Sequence, residues 1–198
     1  MNALQNPAAG TGPDKEVLLL LLRESRKKFL TSFAGVSDEQ SRLHPTPDCW
    51  SVLDTVEHLT SAEGIMLKLV TTQRVPRSPS TPDREQVFLQ VVADRSRKMQ
   101  SPEGGRPCGR FASLAEAAGQ FRASRDSTIQ FVEQNTEDLR STEVTHPHPS
   151  AGTVSTYEMV IIMAKHAERH ALQIEEIRDR LELHPVSAQG GELDAIGK

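Results

Sequence analysis

Cysteines, aromatic residues and long apolar runs are all scarce in this sequence, and each shortage removes a class of protein. Cys49 and Cys108 are the only cysteines. They form no CxxC pair and allow no multi-bridge framework, so a reducing, cytoplasmic setting is expected. Six Phe, one Trp and one Tyr are too few for extensive base stacking or an aromatic carbohydrate platform. The longest uninterrupted aliphatic run, 17–22, has six residues. A membrane span needs about 20 and a signal-peptide core about 7–15, so neither insertion nor secretion is expected. Lys plus Arg number 23 against 27 Asp plus Glu, a formal charge of -4. That balance leaves no electrostatic footprint for wrapping nucleic acid, and no nucleic-acid partner is expected.

What is present is an ordinary globular composition, with 36% AVILMFWYC residues and 25% charged residues. The 198 residues suit one domain with a sizeable core. Residues 1–13 carry no periodicity and read as a flexible tail, and residues 184–198 read the same way. Between them, 14–183 reads as one domain.

Helix signals recur through that domain. Pro13 and Asp14 open a first helix to about residue 34, with Val17, Leu20, Leu21, Phe29 and Phe33 sharing a face and Gly35 as a stop. Residues 37–40 have capping-box spacing but open only a short turn before His44, Pro45 and Pro47. Ser51 caps a second helix to about residue 73, striped by Val52, Val56, Leu59, Met66 and Val70. A Pro- and Arg-rich insert follows, with a short helix expected over about 82–98, where Thr81 precedes a proline at the first helical position. Capping-box spacing at 113–116 opens a third long helix to about residue 139, and the same spacing at 155–158 opens a fourth to about 183. No segment reads as a convincing strand. Four long amphipathic helices predict an all-α four-helix bundle, with a long irregular insert between helices two and three.

The stripe of the fourth helix is Met159, Met163, His166, His170, Ile174, Ile177 and Leu181. His166 and His170 are spaced i, i+4, so their rings project from one side about one turn apart, close enough to share a metal ion. Spacing alone is weak evidence in a chain with seven histidines. Placement adds to it, because imidazoles in an apolar row are costly unless hydrogen-bonded or ligated. Two protein ligands hold a metal loosely, and His58, beside the stripe of the second helix, is the candidate third. His44, His146, His148 and His184 lie in proline-bearing connectors and are expected at the surface.

These residues resemble the DinB/YfiT-like proteins, four-helix bundles described as metal-dependent hydrolases. Val36-Ser-Asp-Glu-Gln, then Pro47-Asp-Cys-Trp50-Ser51 running on to His58-Leu59, is similar to the family's proline, Trp-Ser and histidine passage. Lys165-His166 through His170 to Gln173-Ile174 is similar to its HxxxH-xx-Q signature. The resemblance spans about 14–183 and implies that His58, His166 and His170 bind a divalent metal. It further implies hydrolysis, or transfer involving a low-molecular-weight thiol such as bacillithiol or mycothiol. The long insert departs from the family pattern, so no substrate is carried over.

Three neutral imidazoles on one side of a cation leave positions for water or substrate, which suits a catalytic site better than a closed structural one. Zinc is the first choice, with nickel, iron or manganese also compatible. The expected function is a metal-dependent enzyme that activates water or a thiol to act on a small molecule. The rival is a non-catalytic metal-binding or dimerisation module with a stress-related role, and a homodimer is the default assembly. Gln173, seven residues after His166, could hydrogen-bond a metal-bound water, orient a substrate, or be merely half-buried. Glu57 and Glu168 rotate away from the ligands and read as surface charges. Trp50 reads as packing at the entrance of the second helix and Cys49 as packed or inert. Segment 68–110 carries about +5, with nine Lys or Arg against four Asp or Glu. It reads as a solvated insert, an attractor of anionic ligands, or a complement to a partner's acidic surface.

Overall fold

The computed structural model describes residues 13–79, 81–97 and 99–183. The expected tails at 1–12 and 184–198, with His184, lie outside the described residues. Among the described residues four long helices form: α1 (Pro13–Ser32), α3 (Val52–Thr72), α5 (Leu114–Gln134) and α6 (Thr156–Leu181). Two short ones, α2 (Asp38–Ser41) and α4 (Pro82–Val91), lie in the connections. α1 packs on α5 and α6, and α3 packs on the same two helices, so four apolar faces close around one core. Early α3 meets the middle of α6 at the histidines, while Met66 and Val70 late in α3 share a cluster with Met159 and Ile162 early in α6. The two helices therefore run antiparallel. No described helix is long and apolar enough to cross a membrane.

Side-chain caps set most helix starts. Ser37 with Gln40, Ser51 with Asp54, and Ser155 with Glu158 all make complete capping boxes. At α5 only half of the expected box forms. Ser113 accepts the Glu116 N–H, but the Glu116 carboxylate takes the N–H of Ala112 instead. Thr81 makes no side-chain cap, and α4 starts on the φ of Pro82 alone.

The structure corrects four expectations. The buried face of α1 is Leu18, Leu22, Ser25, Phe29 and Ser32, with buried Phe33 just past its end, whereas Val17 and Leu20 are exposed. A run of five leucines has no internal phase. The contacts of Ser25 and Phe29 further along choose it. α4 ends at Val91, well short of 98, and α5 ends at Gln134, short of 139, where Asn135 takes an extended conformation. A three-stranded antiparallel sheet also forms, with Val75–Pro76, Thr142–Thr145 and Thr153–Ser155 in sequential order. Strands this short carry no readable alternation. The sheet ties the connection after α3 to the hairpin before α6.

Candidate metal centre

His58 lies on the inner side of α3, less than two turns past the Ser51 cap, and His166 and His170 lie on the facing side of α6. The apolar stripe of α6 carries these rings inward among Met159, Met163 and Ile174, all fully buried. His58 and His170 are each 5% exposed, and His166 is half-buried. Nε2 of His166 stands 3.3 Å from Nε2 of His58 and 2.9 Å from Nε2 of His170. One ligand atom from each ring lies within 4.8 Å of the others, so the trio could hold a metal ion. Two nitrogens bound to one ion at about 2.0–2.1 Å, at angles near 90–110°, stand about 2.9–3.4 Å apart. The spacing of the rings fits that requirement.

Hydrogen bonds set the tautomers. Nδ1 of His58 is 2.6 Å from the carbonyl oxygen of Gly105 and Nδ1 of His170 is 2.9 Å from Oε1 of Gln173. Both partners only accept, so each Nδ1 carries the proton and each Nε2 keeps a lone pair. Arg95 also donates to Oε1 of Gln173, which fixes the direction of that amide. Lone pairs at these separations repel unless a proton or cation lies among them, and one proton on His166 satisfies only one of its two neighbours. Burial lowers the pKa of all three rings, most strongly at His166 and His170, where the neighbouring imidazoles add to the effect. Neutral rings near pH 7 are the form that binds metals.

Trp50 packs at the start of α3, and what it packs on is the imidazoles. Its ring lies against His58 with centroids 4.8 Å apart and nearly parallel to His170 at 6.3 Å. Gln173 holds His170 through Nδ1, an orienting role directed at the ring. His44 is exposed, as expected, but His146 and His148 are half-buried. Their Nδ1 atoms accept backbone N–H groups inside the hairpin turn, from His148 and Ser150 respectively. The turn thus engages one nitrogen of each ring, Nε2 of His146 is buried without a partner among the described residues, and neither ring joins the trio.

The insert also departs from expectation. Five of its nine cations pair with acids of their own chain: Arg74 with Glu137, Arg77 with Glu143, Arg84 with Glu158, Arg95 with Glu176 and Arg110 with Glu57. Buried Arg169 of α6 donates to the carbonyl oxygens of Asp94 and Arg97. The insert is thus clamped to the bundle beside the histidines. Glu57 does point away from the rings, but it is 1% exposed and sits under the insert, so it is no surface charge. Glu168 is half-buried and pairs with Lys165 at 2.9 Å. Sequence reasoning missed Gly105, Arg95 and the burial of Glu57, because each depends on a long-range contact without periodic spacing.

The family model described as the DinB superfamily matches residues 21–174. A Bacillus subtilis (strain 168) protein described as uncharacterized protein YuaE is 24% identical over 163 residues, covering 82% of this chain and 98% of the relative. A solved structure of a conserved protein from Enterococcus faecalis matches with a TM-score of 0.57 and 14% identity. It covers 84% of this chain and 96% of that one, and it bears on the fold alone.

Proposed function

The chain belongs to the DinB superfamily, and on that premise we propose that it is a divalent-metal-dependent enzyme acting on a small molecule by hydrolysis or thiol transfer. The observation that carries this reading is the approach of three Nε2 atoms, 2.9 and 3.3 Å apart, with two of the rings held as Nδ1–H tautomers. His58, His166 and His170 would hold the ion, zinc being the first choice and nickel, iron or manganese also suiting the donor set. When bound, such an ion supplies Lewis acidity, lowering the pKa of a water or thiol toward neutrality.

The remaining residues prepare the site. Gly105 and Gln173 keep the Nδ1 protons of His58 and His170, so both Nε2 lone pairs face the centre. The Trp50 ring covers one flank of two imidazoles and keeps water from their faces. Because the three donors are neutral, a divalent ion there retains its full double charge, which favours an anionic nucleophile.

Metal content of untagged protein tests the site. We expect about one equivalent in the wild type and its loss in His166→Ala; equal content in both rejects it. Reactivity is read separately. Metal-loaded protein should conjugate bacillithiol, mycothiol or glutathione to monochlorobimane, or hydrolyse ester and amide probes. Rates that chelation does not change would leave the non-catalytic module as the better reading.

A further inference from the structure

We propose that Glu57 is a positioning residue for the three-histidine site, acting through the turn at 105–110; the inference deepens the metal-site reading above and rests on it. The Glu57 carboxylate accepts the backbone N–H groups of Cys108 at 2.6 Å, Gly109 at 3.1 Å and Arg110 at 3.0 Å. The Arg110 guanidinium approaches it at 3.4 Å. Three successive N–H groups converge on one anion only if the backbone between them turns sharply, and Gly109 supplies that turn with φ of 77°. Hydrogen bonds to a charged acceptor are the stronger kind, so the carboxylate is a firm anchor.

The other end of the same turn rests on the next residue of α3. Gly105 gives its carbonyl oxygen to Nδ1 of His58. The approach is close: a Cβ on Gly105 would stand 3.0 Å from Oγ of Ser101 and 3.6 Å from Nδ1 and Cε1 of His58. Glu57 and His58 therefore hold opposite ends of one short turn, and the few peptide units between leave little slack. Releasing 108–110 frees Gly105 to withdraw, and His58 then loses the acceptor that keeps its proton on Nδ1. A ring free to change tautomer presents its Nε2 lone pair for only part of the time.

The test uses full-length, untagged, metal-free protein. Nitrogen-15 shifts of the His58 ring should report the Nδ1–H tautomer in the wild type and a mixture in Glu57→Gln, with zinc affinity in chelator competition falling about tenfold or more. Val132→Ala, a core change on α5, should lower stability without moving either readout. If Glu57→Gln fails to fold, Gly109→Ala keeps the carboxylate but strains the turn, and should shift both readouts the same way. An unchanged His58 tautomer with unchanged zinc affinity in the folded variant overturns the proposal. Should the wild type bind no zinc, the metal reading fails, and the tautomer alone decides whether Glu57 positions His58.

Discussion

His58 and His170 each give Nδ1 to an acceptor and turn Nε2 toward His166. Such rings are easiest to bury when neutral, and this has a consequence for acid stability. An imidazole in the unfolded chain takes a proton near pH 6.5, whereas burial depresses the pKa of all three rings in the fold, and of His146 as well. Above about 6.5 both states are neutral and the rings contribute no pH dependence. As the pH falls below that value the unfolded chain binds protons that the fold refuses, so stability drops until the depressed folded values are reached. Chelator-treated protein should therefore show a lower urea midpoint at pH 5.5 than at 7.5, with a shallower fall in His166→Gln. A midpoint that stays level or rises on acidification would contradict this account.

At the scale of the element, local chemistry and long-range contact divide the work. Serine boxes at 37–40 and 155–158, the cap at Ser51 and half of the box at 113–116 were readable because donor and acceptor lie three residues apart in the chain. The phase of α1 was not, because residues 18–22 are all leucine. Leu18 is fully buried and Leu20 is 61% exposed, two residues and about 200° apart. Leu18→Ala should destabilise by about 2–5 kcal/mol, and Leu20→Ala by about 0.5 kcal/mol or less. Denaturant midpoints of the two variants check this, and equal losses would mean that α1 is rotated from the orientation described. The three short strands escaped sequence reading for a related reason. Their pairing, Val75 opposite Glu143 and Val144 opposite Val154, joins segments too brief to show a period of two.

Across the whole molecule, the four long helices meet at one buried charge. Arg125 of α5 donates to Glu63 of α3 at 2.6 and 2.9 Å, to Ser25 and the Leu22 carbonyl of α1, and to the Met163 carbonyl of α6. Thr128 completes the carboxylate's partners at 2.8 Å. Removing one half of a buried pair typically costs about 3–5 kcal/mol, because the survivor stays desolvated. Arg125→Met should show a loss of that size by urea denaturation. The double variant Glu63→Leu with Arg125→Met should recover most of it, and a double variant no more stable than the single would assign the loss to packing instead of charge.

The amino-acid order alone determined the helix starts, the all-α bundle, the inward stripe of α6 and the pairing of His166 with His170, because each is a matter of spacing within a few turns. It also offered His58, by its place beside the stripe of α3. The joining of His58 to the pair, the burial of Glu57 and Arg125, the contact of Trp50 with the imidazoles and the clamping of the insert were decided by folding. Each depends on chain segments separated by dozens of residues, and no periodicity encodes which distant partner a buried polar group will meet.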